Sequence, residues 1–334
     1  DGVPRPMVDA MADVPQLFPP GDGWSYNNAG FGVAGRVIEA LTGRPYEAAL
    51  REFVLGPLGL AGTFASADEA ITHRVALPHA SATRPPRILR GKGWQPGWQL
   101  VPADVPMGGL ISSAQDLLGW ARFHLGLRRP SGDPVLAPAT IAAMQAPLAP
   151  AGSFADQVGV AWMLRTVGGR RFVGHGGLTS GYGTTFTLVP EAKAAVVVLT
   201  NATPGGTWLG REITRTVLRE TIGVDDAPPA PVRGVAGDTN AYVGRYDNPF
   251  AIQNVRRGTK LAELVLEHHA RPPEPGRWAP LPPGPIRLAF YAKDRVVALA
   301  PSLQAGLRGE FGRDAAGRVA WLRWGGRLAP RLGD

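Results

Sequence analysis

The chain has 334 residues, with 35 basic and 27 acidic side chains and a formal charge of +8. That length suffices for two domains with sizeable cores, and no apolar run approaches the roughly 18 residues a membrane span needs. The absence of cysteine excludes disulfides, thiol catalysis and thiolate metal sites, and the basic excess is arginine dispersed singly or in pairs, which argues against nucleic-acid binding.

Residues 1–25 read as loop with one short helical piece, broken by Pro19-Pro20 and Gly21-Asp22-Gly23. Next comes Gly23-Trp24-Ser25-Tyr26-Asn27-Asn28-Ala29-Gly30-Phe31, a glycine-flanked turn that carries a phenol, two amides and a hydroxyl. A helix over about 29–42 is expected after it, with Phe31, Ala34, Val37, Ile38 and Leu41 at helical spacing and Gly43 as its C-cap. Asn27 is expected to serve the start of this helix. A second helix over 46–55 follows Pro45, with Tyr46, Ala49, Leu50, Phe53 and Val54 on one face.

Residues 56–106 look mainly irregular, with short strands or turns near 74–77 and 98–101. Trp94 and Trp98 lie in this connection, either lining a cleft or pinning the loop. Ser113-Ala-Gln-Asp116 resembles a capping box and opens a helix to about Leu125, with Leu117, Leu118, Ala121 and Leu125 inward. Pro138–Met144 reads as a further short helix. The period then switches to strand at 158–166, 171–174, 182–189 and 194–199, an antiparallel meander. A helix over 208–222 is expected to cover one face of that sheet, with Leu209, Ile213, Val217 and Ile222 inward.

A proline-rich stretch divides the chain. Residues 1–222 are expected to form one domain, 223–237 a stiff linker with few packed contacts, and 238–334 a second domain. The short apolar runs of the latter, at 241–246, 261–266, 286–292, 296–299, 309–313 and 319–322, suggest a small antiparallel barrel or sandwich.

Two stretches carry chemistry. Tyr26 and Asn28 stand at a helix start, and His175-Gly176-Gly177-Leu178 ends an apolar strand in glycines that let a ligand approach the backbone. Tyr-x-Asn followed far downstream by His-x-Gly resembles the serine β-lactamase and penicillin-binding-protein family, in its class C-like, esterase-type branch. Gly-Pro-Leu-Gly-Leu at 56–60, GGLISSAQDLLGW at 108–120 and AVVVLTN at 195–201 support the resemblance in family order. It covers residues 15–222, and Tyr242-Val-Gly-Arg-Tyr246 resembles the opening of the lipocalin-like barrel that some members append.

The resemblance implies an α+β penicillin-recognising fold, an antiparallel sheet flanked by helices, followed by the barrel. It implies acyl transfer to water through a serine acyl-enzyme on an ester, amide or β-lactam, with no cofactor and no metal. The expected partner is a small-molecule or peptide substrate with a scissile acyl bond. Tyr26 is implied as the proton carrier and Asn28 as a ligand of a lysine and of the substrate carbonyl. His175 would hydrogen-bond Tyr26 or a substrate carboxylate. Gly176 and Gly177 would let substrate lie along the strand edge, and the Leu178 N–H would serve as one oxyanion donor.

The family's nucleophile, the Ser of Ser-x-x-Lys, is missing. Leu89, Pro190, Arg257 and Phe290 stand three residues before the four lysines Lys92, Lys193, Lys260 and Lys293. The chain is therefore expected to be an N-terminally truncated part of a larger hydrolase, inert alone. The alternative is a non-catalytic binding or regulatory homologue.

Overall fold

The structure is a computed structural model that describes residues 8–80, 85–90, 102–127, 135–179, 181–234, 237–248, 250–260, 262–270 and 284–333. Trp94, Trp98 and the strand expected near 98–101 lie outside them. Helix α1 spans Ala29–Thr42, closed by Gly43 at φ +65°. A helical turn at Tyr46–Leu50 runs into a wider π-turn at Arg51–Leu55. Single helical turns lie at Gly56–Leu58, Ala67–Ala70 and Val105–Gly108, and longer helices are α2 (Ala114–His124), α3 (Pro138–Met144) and α4 (Gly205–Ile222).

The first sheet is a six-stranded antiparallel meander in sequence order. Its strands are β1 (Ala149–Pro150), β2 (Gln157–Val158), β3 (Met163–Val167), β4 (Arg170–Thr179), β5 (Tyr182–Val189) and β6 (Ala194–Thr200). The run expected as one strand over 158–166 is two, because Ala161 takes φ +62° and breaks the ladder. Trp162, Leu164, Val173, Phe186 and Leu188 form the core on one face, under α2, and Phe172, Val189, Val196 and Leu218 form another.

The helix faces differ from those that hydrophobic spacing predicts. On α4 the buried residues are Gly206, Gly210, Thr214 and Leu218, while Leu209, Ile213 and Val217 stay exposed. The reason is close approach. A Cβ on Gly210 would lie 2.9 Å from Thr185 Oγ1, and one on Gly206 would overlap the Thr200 side chain. A glycine stripe, not a leucine stripe, therefore faces the sheet. Helix α1 behaves the same way: Gly32, Gly35 and Glu39 are buried, Gly35 against Pro106, and Leu41 is 82% exposed. In α2 Ala121 is buried as expected and Leu118 is exposed; Ser113 caps through its side chain, 3.1 Å from the Asp116 N–H. The Asp116 carboxylate does not close a capping box but accepts from the Gly62 N–H and the Thr63 hydroxyl, at 2.8 and 2.7 Å.

His124, at the end of α2, is buried among Trp120, Trp162 and Phe123, and both its ring nitrogens lack hydrogen-bond partners among the described residues. Desolvation pushes its pKa down to about 4. The unfolded chain binds that proton at about 6.5, so the stability contribution is full above this pH and is lost as pH falls toward 4. The loss should reach about 3 kcal/mol. Urea unfolding at pH 7 and pH 4 reads it, and His124→Gln should flatten that part of the profile.

Beyond the linker an eight-stranded antiparallel sheet closes on itself in sequence order. Its strands are β7 (Gly244–Asn248), β8 (Ala251–Arg257), β9 (Glu263–Ala270), β10 (Ile286–Ala292), β11 (Arg295–Ala298), β12 (Arg308–Arg313), β13 (Val319–Trp324) and β14 (Arg327–Pro330). The bridge Tyr246–Arg331 joins first strand to last, making a nearly closed barrel. Tyr246, Leu264, Leu266, Leu288, Phe290 and Leu322 fill it. Strands β8 and β14 have no counterpart among the sequence-predicted runs.

The linker is not loosely attached. Asp225 and Asp226 pair with Arg215 and Arg165, Val224 is buried under the meander, and the Val232 N–H donates to the Phe290 carbonyl at 2.9 Å. A stiff linker with few packed contacts is the expectation from its prolines; two aspartates and two valines tie it to both halves instead. The fold is thus an α+β meander with helices, followed by an antiparallel barrel.

Candidate active site

Tyr26 and His175 meet. The Tyr26 Oη lies 3.4 Å from His175 Nε2, with ring centroids 5.9 Å apart, although 149 positions separate them in sequence. The His175 Nδ1 lies 2.6 Å from its neighbour's carbonyl, Gly176 O. A carbonyl can only accept, so Nδ1 carries the hydrogen and Nε2 presents a lone pair to the phenol. The geometry therefore selects one arrangement: Tyr26 O–H donates to neutral His175.

Burial favours the neutral forms of both. Desolvation raises the Tyr26 pKa, opposed in part by the Arg327 charge. It lowers that of His175, opposed by the Gly176 hydrogen bond. At neutral pH the pair is a phenol and an imidazole, poised to pass a proton from oxygen to nitrogen.

Strand β4 positions His175. Its pairing with β3 ends at Gly174, opposite Met163, whereas its pairing with β5 continues to Thr179. Among the described residues, 175–179 therefore keep one edge without a strand partner. Gly176 and Gly177 are exposed on it, and Leu178 is 44% exposed opposite Gly183. Gly174 is required for packing, since a Cβ there would lie 2.6 Å from the Phe186 carbonyl oxygen.

Asn27 and Asn28 divide their work. The Asn27 Oδ1 accepts from the Ala29 N–H at 2.8 Å and so caps α1. Asn28 occupies the N-cap position but makes no side-chain cap.

The barrel holds the Tyr26 segment. The Tyr26 N–H donates to Gly326 O at 2.8 Å, and the Leu328 N–H donates to Ser25 Oγ at 3.1 Å. Arg323 donates to the Trp24 carbonyl at 2.8 Å and Arg327 to the Tyr26 carbonyl at 2.7 Å. The turn Gly325-Gly326 fits because both residues have positive φ, and a Cβ on Gly326 would lie 3.1 Å from Tyr26 Cβ. Trp24 and Phe154 complete the wall, stacked 6.0 Å apart. Sequence reading missed this role of the barrel. The Gly325-Gly326 pair between Trp324 and Arg327 was the available signal, since it is a hairpin turn. Among the described residues no group of three or more His, Asp or Glu side chains converges to hold a metal.

A family model described as Beta-lactamase matches residues 2–221. Penicillin-binding protein 4 of Amycolatopsis lactamdurans is 33% identical over 256 residues, 72% of this chain and 64% of that protein. Esterase EstB of Burkholderia gladioli is 33% identical over 124 residues, 32% of this chain and 31% of that one. The chain spans less than two thirds of the length of these curated relatives. Among solved structures, SurE with D-Leu superposes with a TM-score of 0.70 at 26% identity, over 98% of this chain and 72% of that chain. The octameric penicillin-binding protein homologue from Pyrococcus abyssi shares the fold, with a TM-score of 0.57 at 20% identity, covering 98% of this chain and 69% of that chain. The matched stretch holds both the Tyr26 segment and the His175 strand, and the chain belongs to the Beta-lactamase family.

Proposed function

We propose that this chain carries the proton-transfer half of a serine hydrolase site that cleaves an ester, amide or β-lactam through an acyl-enzyme. The observation that carries this reading is the Tyr26 Oη–His175 Nε2 contact, with His175 Nδ1 anchored on the Gly176 carbonyl. A serine supplied by a Ser-x-x-Lys segment attacks the acyl carbon. Its proton passes to Tyr26 Oη while the phenol proton moves to His175 Nε2. The imidazolium so formed keeps its Nδ1–H on the carbonyl. The proton returns through Tyr26 to the leaving group, and water repeats the sequence to release the acid.

Asn28 and the free edge of β4, including the Leu178 backbone, hold the substrate carbonyl in this scheme. Relatives named as a penicillin-binding protein and an esterase support peptide-like and ester acyl donors alike. Residues 1–222 form the hydrolase part and 238–334 the appended barrel, joined by 223–237.

The chain itself has no Ser-x-x-Lys. Incubated alone with a fluorophosphonate and an activated ester, it should form no covalent adduct by intact mass. The longest reading frame that contains it should be labelled stoichiometrically. Loss of a serine nucleophile costs on the order of 10⁶ in turnover. Failure of that longer frame to label, with retained binding of acyl ligands, would favour a non-catalytic binding homologue.

A further inference from the structure

The barrel interior changes character toward the end that meets the Tyr26 segment. Val255, Leu266 and Ile286 form one inward row across β8, β9 and β10, and all three are fully buried. The next row outward is Tyr246, Gln253 and His268, and beyond it Asn248 stands opposite Ala251. This is the end beside the candidate active site. The turn after Asn248 carries Phe250, whose ring centroid lies 4.8 Å from the guanidinium of Arg327, and Arg327 donates to the Tyr26 carbonyl.

Gln253 and His268 face each other across β8 and β9, with Gln253 Nε2 3.4 Å from His268 Nε2. Gln253 is only 2% exposed. Yet Gln253 Oε1 and His268 Nδ1 are both buried without a hydrogen-bond partner among the described residues. Burial, with His269 alongside, pulls the His268 pKa down to about 4, so the pair is uncharged at neutral pH. Its remaining capacity follows from counting. If the Gln253 amide donates to Nε2, the ring hydrogen sits on Nδ1, which leaves Oε1 as an acceptor and Nδ1–H as a donor. If the amide is turned over, Oε1 accepts from Nε2–H, which leaves the amide N–H as a donor and Nδ1 as an acceptor. Either arrangement offers at least one donor and one acceptor on neighbouring side chains. A carboxylate only accepts and an ammonium only donates, so each matches half of the pair. A peptide unit matches both, with its carbonyl and its N–H on separate atoms.

We propose that Gln253 and His268 form a peptide-amide site in the end of the barrel beside the Tyr26 segment, and that it takes an uncharged secondary amide of a ligand. The site is independent of the acyl-transfer reading, since it involves neither Tyr26, His175 nor a nucleophile. Without a ligand to meet, two apolar side chains of similar size would fill the same space and leave no buried polar atom unpaired.

The test uses ¹⁵N-histidine-labelled protein, both this chain and the longest reading frame containing it, with His268 assigned through His268→Leu. N-acetylglycine N-methylamide is the probe. N-acetylsarcosine N,N-dimethylamide, which keeps both carbonyls and has no N–H, is the control. The probe should shift the His268 ring nitrogens and bind about tenfold more tightly than the control, the scale of one hydrogen bond to a buried acceptor. Gln253→Leu should bring probe and control within about twofold of each other. Gln253→Leu combined with His268→Leu should unfold in urea no earlier than the unaltered chain, because it removes the unmet groups together. Should Gln253→Leu alone fail to fold, the double variant takes its place, read by calorimetry, and should show no preference between probe and control. No shift of His268 with the probe, equal binding of probe and control, or a preference that survives these variants would each overturn the proposal. So would a double variant markedly less stable than the unaltered chain, which would mark the pair as a structural hydrogen bond only. Fluorophosphonate labelling stands apart: its failure would refute acyl transfer and leave the amide preference intact.

Discussion

Replacing Tyr26 by Phe in the longest reading frame that contains this chain is expected to lower kcat on the order of 10² to 10⁴-fold, the scale of one positioned proton carrier. The phenyl ring preserves the contacts with Trp24 and Phe154, 6.4 and 6.3 Å between centroids, so the fold should survive. Only the hydroxyl that faces His175 Nε2 is removed. His175→Gln should cost a similar factor. The double variant should be little worse than either single one, because the proposed relay puts both in one proton path, where effects do not add. The pH profile supplies an independent sign. His175 accepts a proton only when neutral, and burial holds its pKa below the ordinary 6.5. Activity should therefore fall on the acid side at a pH below 6.5 and hold steady through neutrality. Steady-state kinetics over pH 4–9 would test both; an acid limb above pH 7, or a Tyr26→Phe enzyme of normal kcat, would contradict the relay.

The second large effect lies at the joint between barrel and site. Arg323 is 7% and Glu310 8% exposed, and they pair directly while Arg323 also donates to the Trp24 carbonyl. Gly152 packs onto this pair so closely that a Cβ there would overlap Glu310 Oε1. Arg323→Ala should cost about 3–5 kcal/mol, because it leaves Glu310 buried without its partner. It should also release the Trp24 carbonyl from β13, while the Tyr26–Gly326, Ser25–Leu328 and Arg327–Tyr26 hydrogen bonds still hold the segment to the hairpin. Arg323→Met combined with Glu310→Leu should recover most of the stability, since a packed apolar pair replaces a buried ionic one at little cost. Urea unfolding separates the two variants. Equal stability of Arg323→Ala and the unaltered chain would mean that the pair does not hold the joint.

Local signals in the chain carry much of this structure. The Gly43 cap, the Ser113 cap, the meander turns and most barrel strands follow from residues within a few positions of each other. The Tyr-x-Asn and His-x-Gly segments are legible because each carries a local backbone signal, a helix start and an apolar strand running into glycines, although the strand continues to Thr179 and does not end at His175. Which face of a helix is buried was less legible. Apolar spacing marked Leu209, Ile213 and Val217, but close approach to Thr185 and Thr200 selects Gly206, Gly210 and Thr214. Hydrophobicity ranks side chains by their transfer out of water, whereas this helix is placed by how near two backbones can come. Of the grip of the barrel on Tyr26, only the Gly325-Gly326 hairpin turn was legible, not what it meets. Arg327 and the carbonyl it binds are 301 positions apart, and no local pattern encodes such a pairing.

The most direct test of the account is where an acylating probe lands. The longest reading frame containing this chain, treated with a fluorophosphonate and digested, should carry one adduct, on the Ser of a Ser-x-x-Lys segment outside these 334 residues. Tyr26→Phe should slow that labelling on the order of 10²-fold or more. A stoichiometric adduct on any serine within this chain, or labelling unaffected by Tyr26→Phe, would contradict the assignment of Tyr26 and His175 as the proton path of a serine hydrolase.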